Sequence, residues 1–247
     1  MCISSSHIGV FVGLALLASS LASAQTQPPP PPPKHEGSAE FAFVGTSGNA
    51  STQTIGLGGE STYRPTQWVL KHKAAYVRNK SESELKAQNI RFLSRAEREI
   101  RPRLAAFGEY GFFRDEFAGI NHRNSVASGL AYKLIDLAAH LLSIDGGLGY
   151  LNEDRFEAEN VSSATYGTGA SYRWKLSETA TITDDARFTG TFAAGEDWRF
   201  LQSAAVTAQL TQLFSLKLSN TVSYINLPVP GFKSTDTNTA IALVAKF

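Results

Sequence analysis

The chain has 247 residues, 18% of them charged and 43% hydrophobic, with a formal net charge of +1, 20 glycines and one cysteine. Near-neutral charge argues against a nucleic-acid binder, because a phosphate partner calls for a strongly basic surface. The lone cysteine, Cys2, precedes the first apolar run, so an exported form would carry no disulfide framework, thiolate nucleophile or cysteine metal ligand.

Residues 8–21 read IGVFVGLALLASSL and lead into Ala22-Ser23-Ala24, the small-x-small pattern at which signal peptidase cuts. Segment 1–24 is therefore expected to be a cleaved signal peptide of the Sec pathway, although its first seven residues contain no Lys or Arg. An anchor helix is the alternative, but the apolar run falls short of the roughly 20 residues that cross a bilayer. No later apolar run approaches that length, so membrane residence would have to come from strands. Segment 25–37 contains six consecutive prolines, 28–33, and reads as an extended periplasmic linker or, alternatively, a ligand for a proline-recognising partner.

From residue 38 onward, short stretches of alternating apolar and polar residues are separated by turns, the pattern of transmembrane barrel strands. Along 164–176, Ala164, Tyr166, Ala170, Tyr172, Trp174 and Leu176 fall on one face, with Gly167, Gly169, Ser171, Arg173 and Lys175 on the other. The same period predicts strands over 39–48, 52–64, 67–78, 84–99, 103–115, 120–134, 137–152, 161–176, 179–193, 197–211, 214–226 and 235–247. The expected fold is all-β, an antiparallel up-and-down transmembrane barrel of about twelve strands over 38–247. Asp184 interrupts an otherwise apolar face, and a bulge or a place near the rim is expected there.

Connections alternate in character. Those at 64–66, 100–102, 135–136, 177–178 and 212–213 are tight and are assigned to the periplasm; those at 79–83, 116–119, 152–160, 194–197 and 226–234 are more polar or Pro/Gly-bearing and are assigned to the outside. Aromatics form two expected girdles, Tyr63, Trp68, Tyr172, Trp174 and Phe214 below, and Tyr76, Phe112, Tyr150, Trp198 and Tyr224 above. At the end of the chain Ile241, Leu243, Ala245 and the terminal Phe247 alternate with Ala242, Val244 and Lys246, which resembles the signal read by the barrel assembly machinery. Outer-membrane lipid and that machinery are the expected partners.

Behind the leader, the stretch FAFVGTSGNASTQTIGLGGE places a Ser47-Gly48-Asn49 turn between two amphipathic strands. In this motif, and more loosely over 38–247, the chain resembles the salt-induced outer-membrane protein family, a domain-of-unknown-function family of small barrels. The resemblance implies fold and an outer-membrane location, and carries no catalytic residues or cofactor.

No catalytic constellation emerges. His122 is followed at strand spacing by Asn124, while Ser125 faces the other way; His72 and His140 have no serine or carboxylate at a useful spacing. The glycine runs 56–59 and 146–149 open no helix and read as aids to curvature. The informative polar residues are the charges that the alternation assigns to the lumen: Glu60, Lys71, Lys73, Arg91, Arg95, Glu97, Glu99, Glu109, Arg123, Lys133, Asp145, Arg173, Asp185, Arg187 and Lys217. Mixed signs suggest compensating pairs that fill a narrow interior; the sharper reading is a path for a small solute or ion. The functional expectation is a small channel or an envelope-stress structural protein, not an enzyme. An outer-membrane hydrolase and a docking module that uses the proline stem are the alternatives.

Overall fold

The computed structural model describes residues 32–46, 52–82, 84–156, 158–193 and 197–247. The expected signal peptide, most of the linker and the Ser47-Gly48-Asn49 turn lie outside the described residues. Among the described residues twelve strands form one closed antiparallel barrel. They are β1 His35–Thr46, β2 Thr52–Tyr63, β3 Trp68–Ser81, β4 Glu84–Arg101, β5 Leu104–Asp115, β6 Ile120–Asp136, β7 His140–Arg155, β8 Val161–Lys175, β9 Ala180–Thr191, β10 Trp198–Gln209, β11 Phe214–Ile225 and β12 Thr235–Lys246. Each strand pairs with its sequence neighbours, and β1 closes the ring against β12.

The wall is inside-out relative to a soluble protein. Phe41, Leu148 and Ile241 are 52%, 63% and 59% exposed on the outer face, whereas Ser215 and Val244 on the inner face are 0% and 4% exposed. Period-two alternation produces this arrangement directly, since one side chain in two points to each face. Such an outer face is stable only in apolar surroundings. Aromatic rings mark both margins: Trp198 stacks on Tyr224 at 4.9 Å and Phe188 at 5.8 Å, and His140 stacks on Trp174 at 5.6 Å.

Register shifts fall near strand ends, at Asn79/Lys80, Glu99/Arg101, Phe113/Asp115, Ile120/His122 and Lys133/Ile135, which leaves the middle of the wall regular. A row of inward glycines, Gly129, Gly147 and Gly167, runs across β6, β7 and β8 in register. A Cβ on Gly129 would stand 2.1 Å from the Gly146 carbonyl oxygen, so the strands can bend tightly there only without one.

One rim carries both strand termini, His35 and Lys246; we call it the terminal rim, and the opposite one the loop rim. At the seam, β1 and β12 are matched over Ser38↔Lys246 to Phe41↔Leu243, and Gly37 and Phe247 exchange two backbone hydrogen bonds of 2.9 and 3.0 Å. β1 thus begins at His35, inside the segment expected to be linker, because this pairing and that of His35 with Tyr63 extend the strand.

Three expectations need correction. Ile135 and Asp136 belong to β6, and the turn lies at 137–139, where Leu137 N donates to His140 O at 2.9 Å. β3 continues to Ser81, so the supposed long connection after it is a tight turn with Glu82 at φ 51°. Asp184 sits at no bulge: the pairing of β9 with both neighbours is unbroken, and Asp184 is in register with Tyr172 of the lower girdle. It stays on the outer face because the Gln202 amide donates to both its oxygens at 3.1 and 3.2 Å. Nearby on the same side, Asn220 Nδ2 donates to Thr239 Oγ1 at 2.8 Å.

At the loop rim, Asp115 Oδ1 accepts from Phe117 N and Ala118 N and caps a one-turn 3-10 helix, Glu116–Ala118. Gly119 follows at φ 73°. Across the mouth, loop 226–234 brings Val229, 4% exposed, and Phe232 against this glycine; a Cβ there would meet them at 2.9 and 2.7 Å. The β11–β12 and β5–β6 connections lie on opposite sides of the barrel, so the loop bridges the whole opening.

Candidate functional site in the barrel interior

Inward positions of the wall carry most of the long charged side chains, and they meet strands far from their own. Arg95 on β4 is the hub and is 8% exposed. Its Nε donates to Glu97 Oε1 at 2.8 Å, and its Nη1 donates to Glu109 Oε2 at 3.2 Å and to Asp145 Oδ2 on β7 at 3.0 Å. The Arg95 guanidinium also stacks over the Phe107 ring at 3.8 Å, so its flat face is covered by a π surface while its edge reads carboxylates. From β9, Arg187 reaches Glu109 at 3.3 Å and Asp145 at 3.6 Å. Lys71 holds Glu97 at 2.8 Å, and Lys73 lies 3.4 Å from Glu60 and 3.6 Å from Asp185. Lys217 on β11 reaches over β12 to Glu40 on β1 at 2.7 Å.

The contacts from β4 to β7, β5 to β9 and β3 to β9 are chords through the interior, because those strands are not neighbours in the wall. Alternating signs let each charge find a partner in a low-dielectric space where isolated charges would be costly. Asp145 fits into the network because Gly169 stands opposite it; a Cβ on Gly169 would lie 2.9 Å from Asp145 Oδ1.

Of the residues singled out from the sequence, Glu60, Lys71, Lys73, Arg95, Glu97, Glu109, Asp145, Asp185 and Arg187 come together in this belt. Arg91 lies apart, with its guanidinium 4.9 Å from the centre of the Phe113 ring. Lys133 is 3.5 Å from Asp136 near the terminal rim, and Arg173 is exposed there. Arg123 belongs to a second cluster at the loop rim, around Glu153, Arg155, Asp197 and Arg199. These four and Glu40 were not singled out from the sequence. Continuing the period-two count of Asp145 through Leu151 would have placed Glu153 and Arg155 on the inner face.

The histidines are engaged locally. His122 Nδ1 is 3.4 Å from Asp154, His140 Nδ1 is 2.8 Å from the Tyr172 hydroxyl, and the Ser125 hydroxyl donates to the Gly111 carbonyl at 3.4 Å.

A family profile matches residues 39–247, nearly the whole of the described barrel. The chain belongs to the DUF481 family. DUF481 is described as proteins of unknown function. No curated protein is significantly similar to the chain. Among solved structures, this DUF481 barrel is similar to an outer-membrane channel from Pseudomonas putida F1, with 10% identity, a TM-score of 0.51, and coverage of 90% of this chain and 99% of that one. It is also similar to the NanC porin, with 7% identity, a TM-score of 0.50, and coverage of 85% and 98%. At such identities the likeness is one of fold.

Proposed function

We propose that this DUF481 barrel resides in the bacterial outer membrane as a narrow, low-conductance passage for small solutes or ions, whose interior is held together by compensating charges. The observation that carries the reading is the set of chords Arg95–Asp145, Arg187–Glu109 and Lys73–Asp185, which cross the interior at 3.0–3.6 Å. Twelve strands stand between eight, which give an interior that side chains fill, and the 16 to 18 of open porins, so side-chain size decides. The likeness in fold to a channel and a porin supports the same direction. An apolar outer face and an N-terminal segment of signal-peptide type support the location.

Conductance in a planar bilayer tests the reading. Small or rare openings in the wild type, enlarged when Arg95, Glu109 and Arg187 are replaced by Ala, are the expected result; a large conductance indifferent to those changes refutes it. The resemblance to a salt-induced family adds that expression rises with external NaCl, which a transcript measurement across a salt series checks.

A further inference from the structure

The cluster at the loop rim is not used by the conduction reading. Glu153 is 1% exposed and accepts from Arg123 Nε at 2.5 Å, Arg155 Nε at 2.5 Å and Arg199 Nη2 at 3.4 Å. The same Arg199 Nη2 lies 3.3 Å from Asp197 Oδ2. Among the described residues, three guanidinium groups therefore face two carboxylates. Among the described residues, Arg123 Nη2, Arg199 Nε and Arg199 Nη1 are buried donors with no acceptor, and Asp197 Oδ1 is a buried acceptor with no donor. Arg199 as a whole is 8% exposed. A cluster that served only to tie strands together would match donors with acceptors, since buried guanidinium N–H groups left unpaired are costly. Here three donors are left over.

The cluster also lies beneath the loop that bridges the mouth. Arg199 is in register with Ile225, the residue before loop 226–234, and Asn226 N donates to Trp198 O at 3.0 Å. Arg155 is in register with Ile120, which is 1% exposed and adjoins the Gly119 seat of Val229 and Phe232. Stem and seat of the loop thus flank the cluster.

We propose that Arg123, Arg155 and Arg199 form a binding site for an oxyanion at the loop rim, covered by the 226–234 loop, with hydrogen phosphate as the species that fits it. The oxygens of hydrogen phosphate accept from the spare guanidinium N–H groups, as guanidinium forks suit tetrahedral oxyanions, and its P–OH group donates to Asp197 Oδ1. Sulfate offers the same acceptors but no proton, so it leaves Asp197 unmatched. Binding at this site does not depend on whether the lumen conducts.

Titration of inorganic phosphate into the folded protein in detergent micelles, followed by calorimetry in chloride buffer, tests the site separately from any conductance. Saturable binding is expected, weaker by about tenfold or more in Arg199→Gln, unchanged in the remote Lys86→Gln, and tighter for phosphate than for sulfate. Heat-dependent gel migration reports whether each variant is folded; should Arg199→Gln not fold, Arg123→Gln gives the same reading. No binding at about 10 mM phosphate, or binding indifferent to both arginine variants, overturns the site. Equal affinity for sulfate and phosphate overturns the part assigned to Asp197.

Discussion

Lys73 Nζ on β3 and Asp185 Oδ2 on β9 lie 3.6 Å apart, although their strands stand on opposite sides of a twelve-strand ring. A pair that spans the diameter limits how wide any continuous path can be. Both side chains are nearly half exposed, so this pair alone adds little stability, and its effect is steric and electrostatic. Lys73→Ala combined with Arg187→Ala is expected to raise single-channel conductance severalfold over wild type, with only a small drop in melting temperature. Recordings from purified protein in planar bilayers would show it.

Arg95 differs from Lys73 in being buried among three carboxylates. Removing it leaves Glu97 to Lys71 alone and makes Glu109 and Asp145 share Arg187, so one positive charge is missing from a confined space; breaking a buried pair from one side costs about 3 to 5 kcal/mol, and the remaining cations offset part of that. Arg95→Ala is expected to unfold at markedly lower temperature in a gel-shift assay. Arg95→Lys, which keeps the charge but loses the fork and the stacking on Phe107, should recover only part of the loss.

Lys217 and Glu40 tie β11 to β1 over the intervening β12, 177 residues apart in sequence. Lys217→Glu places two carboxylates in contact there and is expected to destabilise the seam, whereas the exchanged double variant Lys217→Glu/Glu40→Lys should restore most of the loss. A double-mutant cycle by thermal gel shift measures the coupling, and additivity of the two single effects would show that the pair contributes nothing.

Phe247 gives the seam two backbone hydrogen bonds with Gly37, and its ring stands over Gly37 where a Cβ would meet Cε2 at 2.5 Å. Deleting Phe247 should lower the amount of folded barrel in outer-membrane fractions well below that of a change at an exposed loop position such as Lys233→Ala. Equal levels would detach this residue from assembly. Gly37→Ala is expected to weaken the seam more mildly, by displacing the ring.

Gly119→Ala introduces a methyl where Val229 and Phe232 leave 2.7–2.9 Å, at a φ of 73° that alanine adopts with strain. The bridging loop should then lift from its seat. Limited proteolysis is expected to cut within 226–234 faster in this variant than in wild type, with the barrel fragment left intact.

Much of the fold was legible in the sequence because a strand wall with two unlike faces writes its period of two directly into residue order. The limits of β8 and β11 fall within a residue of those expected, since polar turns, and Pro and Gly after β11, bracket clean alternation. Two kinds of feature were not legible. β7 runs on to Arg155 through polar residues, so Glu153 looked like the start of a loop although its side chain turns inward. The course of loop 226–234 across the mouth depends on a contact between Val229 and a glycine over a hundred positions away, which no local pattern encodes. The bulge expected at Asp184 is absent for a similar reason: the amide that keeps the carboxylate on the outer face comes from the next strand. The charged belt was legible as a set of inward residues, but which charge meets which depends on strand order around the ring.

The polar pairs Asp184–Gln202 and Asn220–Thr239 occupy the outer surface of β9 to β12, while the opposite flank presents Tyr110, Val126, Leu130, Ile144 and Leu148. A bilayer wrapped around this wall therefore meets, on one side, two polar pairs set among the exposed Leu216, Leu218, Ile241 and Leu243, and so a less uniformly oily face there. It can accommodate the difference by leaning the barrel axis away from the membrane normal or by thinning beside β9 to β12, each at a modest cost per ångström of mismatch. Replacing Asp184 and Gln202 with leucines would even out the oily face, and the axis would then stand more upright in an oriented bilayer.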